Sequence, residues 1–342
     1  MSLKNLSVRK KIPKIYKSKL LNQKVNKIFK KFEKSFKIDT NFIVAVSGGA
    51  DSLALAFLTK VYALKKNLNP RYFIVDHKLR KESTYEAYKV KRILKSLKIN
   101  SQVLTWKGKK PVSNIQSLAR SKRYELLFLK CKKLKISNLV LGHHIDDVIE
   151  NFFLRMARGS GLKGLVSLGT NTQIENINLI RPLIEFDKRD LIFLSKFIFN
   201  FYVDDPTNDD IKFNRIKVRN LIKRLEDFGL DKKKFQLTIE NLKKSDQSIK
   251  FYVEKNKKEN SIFNYRKNEL LLKDNFFDNS YEVIFRSLSD LIHLVGKKPN
   301  FVRGKKIENI LSKIKEQKLR KETLGGCVIK MVNHTVILTK EV

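Results

Sequence analysis

The chain predicts an α/β fold: a Rossmann-like parallel sheet of five strands with helices on both faces, then a smaller, mostly helical C-terminal domain ending in a β-hairpin. Three observations carry this. Short apolar runs alternate with segments of helical periodicity, the pattern of a parallel sheet covered by helices. The apolar run at 42–46 stops at Ser47-Gly48-Gly49 and a helical pattern follows from Leu53, so a buried strand feeds a helix through a glycine loop. Near the end, two alternating runs at 327–332 and 335–339 meet at Asn333-His334, a hairpin pattern.

Residues 20–36 place Leu, Val, Ile and Phe at helical spacing ahead of the first strand. Beyond the glycine loop come a helix over 52–66, a strand at 72–76, a helix over 82–97 and a strand at 102–106. A long amphipathic helix over 114–134, a short strand at 139–141, a helix over 146–158 and a fifth strand at 177–180 complete the alternation. Ligands of such sheets bind beyond the carboxyl ends of the strands, near the reversal of strand order. Texture changes at Asp227-Phe228-Gly229: a Lys-rich helical stretch at 232–256 follows, then helical periodicity at 281–294 and 307–314. A domain boundary is expected near residue 228, and no internal repeat is visible.

The 342 residues carry 73 Lys and Arg against 34 Asp and Glu, a formal net charge of +39. A polyanionic partner fits this excess, nucleic acid before an anionic membrane surface. A Lys-rich compositional bias is the bland alternative, because the charge is spread along the whole chain. Cys131 and Cys327 are the only cysteines and lie far apart. That excludes a cysteine zinc ribbon or a self-contained cysteine-ligated iron–sulfur cluster and fits a reducing compartment. The longest apolar stretch, 191–203, is interrupted by Lys196 and too short to span a bilayer. The basic N-terminus lacks an apolar signal core, so a cytoplasmic protein without a membrane partner is expected.

The loop Ser47-Gly48-Gly49-Ala50-Asp51-Ser52 joins a strand end to a helix start, where orphan N–H groups and the helix dipole favour phosphate. Ser47 and Ser52 add hydroxyls, and Asp51 adds a carboxylate suited to holding magnesium against phosphate oxygens. No Gly-Lys-Ser/Thr closes the loop, so it is not a Walker A sequence. After the fourth strand, His143 and His144 precede Asp146, Asp147 and Glu150 in the first turns of a helix. This cluster could bind a metal, orient a cationic substrate or supply a base. Capping of the helix start would explain the acids without explaining the histidine pair. His77 and Arg80 follow the second strand and reach the same edge, where they could contact phosphate or be an ordinary exposed loop. Arg155 and Arg158 lead into Gly159, Gly161 and Gly164, a segment that could close over phosphates or simply end the helix. Arg215 and Arg219 lie one helical turn apart and could grip RNA phosphates or the nucleotide, or form a solvated basic face.

These residues together resemble the tRNA(Ile)-lysidine synthase family of the PP-loop ATP pyrophosphatase superfamily. The resemblance rests on Ser47 to Ser52, on His77-x-x-Arg80, and on His143-His144-Ile145-Asp146-Asp147 with Glu150. It continues through Arg158-Gly159-Ser160-Gly161, Gly164-Leu165, Arg181-Pro182-Leu183 and Asp205-Pro206-Thr207-Asn208, in order across about 40–225. Asn151 stands where the family usually has Thr, and Ile216 replaces the Asn usual in the late basic segment. The resemblance implies a basic N-terminal extension and helix at 1–38, a PP-loop ATPase catalytic domain at 39–228, and a helical tRNA-binding or linker domain at 229–342. It implies no full C-terminal tRNA-acceptor domain of the kind longer members carry.

The implied reaction adenylates C2 of the wobble cytidine with ATP, then replaces AMP with the ε-amine of L-lysine to give lysidine. The implied partners are tRNA(Ile) with a CAU anticodon, L-lysine, ATP and Mg2+, with a homodimer left open. Ser47, Gly48, Gly49, Ala50, Asp51 and Ser52, joined by His77 and Arg80, would bind the nucleotide, with Asp51 on magnesium. Asp51, His143, His144, Asp146, Asp147, Glu150 and Arg158 would be catalytic, and Arg215 and Arg219 would bind RNA. Arg158 and His77 are the candidate donors to the α-phosphate, and either histidine the candidate base. The acids would hold the substrate ammonium or a second magnesium. Two rival readings fit the residues less well. A 2-thiocytidine-type sulfurtransferase needs more cysteines than Cys131 and Cys327, and a non-catalytic basic RNA-binding protein has no use for an intact Ser47, Asp51, His143, Asp146 and Asp147.

Overall fold

A computed structural model describes residues 12–80, 82–108, 115–203, 214–298 and 301–341. The chain divides into two compact units, Met1–Leu237 and Thr238–Val342.

The first unit is built on β1 (Ile43–Val46), β2 (Arg71–Asp76), β3 (Ser101–Thr105), β4 (Asn138–Val140), β5 (Asn171–Ile174) and β6 (Ile177–Ile180). Their order is β3-β2-β1-β4-β6-β5. The five strands expected from the sequence pair in parallel, and β5 adds a sixth, antiparallel to β6. Asn171-Thr172-Gln173-Ile174 is a mostly exposed edge without apolar alternation, so nothing in its pattern announces a strand. Strand residues alternate between the two faces as the pleat requires. Val44, Val46, Tyr72 and Ile74 enter one core, whereas Ile43 and Phe73 enter the other.

The helices of this unit are α1 (Lys14–Leu20), α2 (Gln23–Ser35), α3 (Ala50–Lys66), α4 (Ser83–Ser96), α5 (Ile115–Leu134), α6 (Ile145–Met156), α7 (Leu162–Leu165), α8 (Lys188–Phe199) and α9 (Asn214–Asp227). The helix expected at 20–36 is α2, which starts where the Asn22 side chain accepts from the N–H groups of Lys24 and Val25; α1 precedes it, ahead of the expected range. α3 packs against β1 and α8. Its Leu53, Leu55, Phe57 and Leu58 are fully buried, with Phe32, Phe36, Phe42 and Tyr62 forming an aromatic cluster in the same core. α5 covers the opposite face through Leu127 and Cys131.

α10 (Lys232–Asn260) runs through the division between the units, which falls at 237/238 rather than near residue 228. Its first turn stays with the first unit, where Phe235 stacks on Phe153 at 5.5 Å. The second unit contains more sheet than a terminal hairpin. β7 (Ser261–Asn264), β8 (Glu269–Leu272), β9 (Lys321–Leu324), β10 (Cys327–Val332) and β11 (Thr335–Lys340) form one antiparallel sheet in the order β7-β8-β11-β10-β9. The predicted hairpin is β10–β11, with Asn333 and His334 at φ 46° and 62°, the left-handed pair that a two-residue turn of this twist demands. α11 (Tyr281–Gly296) and α12 (Gly304–Lys315) bury Leu288, Ile292, Ile307 and Ile310 against Leu272, Ile329 and Leu338. Both cysteines are buried free thiols, one in each unit. No helix of the described residues is long and apolar enough to cross a membrane.

Candidate functional site

The chain builds β1, β2 and β3 outward in one direction and then places β4 on the other side of β1. The strand order therefore reverses between β1 and β4, and the crevice beyond their carboxyl ends is where such a sheet offers a binding site. Ser47 follows β1 there, and Gly142-His143-His144 follows β4.

The glycine loop is held by its own serine. Ser52 is buried, and its hydroxyl accepts from the N–H groups of Ser47 and Gly48 at 3.1 Å each while donating to the Gly49 carbonyl at 3.0 Å. The Ser47 hydroxyl lies 3.2 Å from the Ser52 hydroxyl. Gly48 has φ +94°, and a Cβ on it would stand 2.6 Å from Val90 and 3.0 Å from Val203. Gly49 and Ala50 lead into α3 as its N-cap and first residue. Gly142 allows the tail of β4 to pass the start of this helix, since a Cβ there would approach the Ser52 nitrogen to 3.2 Å.

That approach brings the acid-rich block to Asp51. His144 is buried, with Nε2 3.6 Å from Asp51 Oδ2 and 3.6 Å from Asp147 Oδ2. It is also the N-cap of α6: its Nδ1 accepts from the Asp146 N–H at 3.2 Å, and Asp147 Oδ2 accepts from the His144 N–H at 2.9 Å. One histidine and one acid are thus explained by capping, with the capping histidine turned toward Asp51. His143 Nδ1 accepts from Arg181 Nε at 3.1 Å. Burial, together with Arg181, Arg120 and Arg123, pushes the His143 pKa down to about 3 against the pull of Asp147. His143 is therefore neutral, with its proton on Nε2. Burial would raise the Asp147 pKa, but His144, His143 and the His144 N–H outweigh it and hold the carboxylate ionised below its ordinary range.

Each remaining acid meets a cation from later in the chain. Lys188 Nζ contacts Asp51 Oδ1 at 2.8 Å and Oδ2 at 2.6 Å. Lys232 Nζ bridges Asp146 at 2.9 Å and Glu226 at 2.7 Å, and although burial opposes its charge these two carboxylates hold its pKa above the ordinary lysine value. Arg219 Nε bonds Glu150 at 2.5 Å. Burial raises the Glu150 pKa despite Arg219. Arg219 is engaged with an acid of the site, while Arg215 is exposed on the same helix. Arg123 feels Arg120 and Arg215 nearby, and burial depresses its pKa.

Arg80 pairs with Glu86 at 2.8 Å, and His77 Nδ1 accepts from the Leu79 N–H at 3.3 Å. Their turn is organised by buried Asp76, which accepts from Ser83 and Thr84. Arg158 is exposed beyond the far end of α6, whose 12 residues extend about 18 Å from the site. The structure does not bring Arg158 to the cluster. Asp205 to Asn208 lie outside the described residues. Lys188, Lys232, Arg120 and Arg123 were not singled out in the sequence, where no local pattern separates them from 73 basic residues.

Residues 18–225 match the PP-loop domain family. The tRNA(Ile)-lysidine synthase of Orientia tsutsugamushi (strain Boryong) is 32% identical over 321 residues, 90% of this chain and 71% of that protein. The tRNA(Ile)-lysidine synthase of Rickettsia akari (strain Hartford) is 33% identical over 308 residues, 87% of this chain and 69% of that protein. Among solved structures, the U34-tRNA thiolase NcsA from Methanococcus maripaludis with its [4Fe-4S] cluster superposes with TM-score 0.56 at 18% identity, covering 65% of this chain and 78% of that one. At that identity the likeness concerns the fold alone.

Proposed function

Since the chain belongs to the tRNA(Ile)-lysidine synthase family of PP-loop proteins, we propose that it ligates L-lysine to C2 of the wobble cytidine of a tRNA(Ile) with a CAU anticodon, in the cytoplasm. The observation that carries this reading is the meeting of the glycine loop's Asp51 with His144, at the head of the acid-rich helix.

In the first step the C2 oxygen of the cytidine attacks the α-phosphorus of ATP. An O–P bond forms, the α–β anhydride breaks and pyrophosphate leaves. The N-terminus of α3 and the loop from Ser47 to Ser52 bind the phosphates, through helix dipole and backbone donors. Magnesium commonly takes one or two carboxylates and completes its shell with phosphate oxygens and water. No group of three or more His, Cys, Asp or Glu among the described residues is arranged to enclose an ion. Asp51 fits the first description, as a single carboxylate beside the phosphate loop, and when bound the ion would neutralise phosphate charge.

In the second step the lysine ε-amine attacks C2, a C–N bond forms, and the C–O bond breaks to release AMP. The substrate amine arrives as an ammonium. Asp146, Asp147 and Glu150 would hold that cation; in support, Asp146 and Glu150 each pair with a nitrogen cation, Lys232 and Arg219. Both histidines present an occupied basic nitrogen, Nδ1 of His143 to Arg181 and Nδ1 of His144 to Asp146. The ammonium proton therefore passes to a carboxylate of the cluster rather than to a histidine.

The test is incubation with ATP, labelled lysine and unmodified tRNA(Ile). Label entering the RNA only when ATP is present is the expected result. A folded protein that transfers none overturns the reading.

A further inference from the structure

The phosphate loop from Ser47 to Ser52 contains no cation of its own. A loop that binds the β- and γ-phosphates of a nucleotide needs positive charge there, because the leaving pyrophosphate gains charge as the anhydride breaks. Lys188 supplies a cation from 137 positions away in sequence. It opens α8 directly after the N-cap Asp187, and its ammonium bonds both oxygens of Asp51. The side chains are 38% and 22% exposed, and ion pairs open to solvent in this way add little to stability. A magnesium ion held by Asp51 would use the same carboxylate lone pairs. Such an ion and the Lys188 ammonium would compete for Asp51, and a lysine released from it would be free to pair with the bound phosphates.

We propose that Lys188 is a nucleotide-binding residue that exchanges Asp51 for the β- and γ-phosphates of bound ATP and stays with pyrophosphate as it departs. A lysine suits this role as a compact point charge on a flexible stem. The inference rests on the reading of the glycine loop as an ATP site.

Equilibrium binding of ATP and of AMP, each with magnesium, to the full chain tests it by calorimetry. AMP lacks the two phosphates that Lys188 would contact. Lys188→Met and Lys188→Gln should each weaken ATP binding by about tenfold or more, the loss of a charge-assisted contact, and leave AMP binding within about twofold. Lys188→Arg should retain most of the ATP affinity. Unchanged ATP binding in both neutral variants overturns the inference. So does an equal loss of ATP and AMP, which would assign Lys188 a structural role. If the unaltered chain binds no ATP, the loop assignment itself fails and the inference falls with it. If the unaltered chain binds ATP and the variants match it, only the inference fails.

Discussion

His143 and His144 are adjacent in the chain yet sit in different electrostatic settings. His144 caps α6 and faces two carboxylates, whereas burial, with arginines nearby, holds His143 neutral. The folded pKa of His143 lies below its ordinary 6.5, so the unfolded chain takes up a proton first as pH falls. Stability attributable to this site is therefore complete above pH 6.5 and declines between 6.5 and about 3. The slope is at most about 1.4 kcal/mol per pH unit for one proton. Asp147, depressed below 3.8, adds a further loss only at more acidic pH. Urea midpoints at pH 7 and pH 5 should fall more for the unaltered chain than for His143→Gln, whose amide oxygen can still accept from Arg181. Equal losses would show that His143 is not held neutral.

Two loops and two helix starts, rather than any one side chain, assemble the site. The strand–loop–helix unit at 43–66 was legible because its burial pattern, its glycines and its helical period all agree. The reasons for two particular glycines were not. Gly48 is required both by its φ of +94° and by Val90 and Val203, neither of which any local pattern places against it. Gly48→Ala should cost about 1–3 kcal/mol in a urea or thermal melt, since strain and overlap act together, and should weaken ATP binding as the loop shifts. A variant with unaltered melting and ATP affinity would show that the loop tolerates the added methyl. The start of α6 was legible as an acid-rich helix head, but its cap proved to be His144, a residue type outside the usual Ser, Thr, Asp and Asn. β5, β7, β8 and β9 were not anticipated: each is only four residues long, too short for its pattern to establish a strand period, and β5 and β9 are polar edges besides.

At the scale of the whole molecule, the net charge of +39 calls for a polyanion, but part of the positive charge is spent internally. Lys188, Lys232, Arg219 and Arg80 pair with acids. The remaining excess should still bind tRNA electrostatically. Each neutralised phosphate contributes about 0.7–0.9 to the slope of log affinity against log salt, so a slope steeper than about −4 is expected by filter binding between low and physiological salt. A flat profile would assign the charge to compositional bias.

The sequence by itself determined the parallel α/β core, the glycine loop at 47–52 and the placement of the acid-rich block at a neighbouring strand end. Those features are local, written in period and in turn chemistry. Only the tertiary structure decided which cation meets which acid: Lys188 on Asp51, Lys232 on Asp146 and Arg219 on Glu150. Charge pairing across tens or more of residues follows the reversal of strand order and the return of α8, α9 and α10 to the sheet edge. In a chain with 73 basic residues, no rule of spacing could have chosen those three.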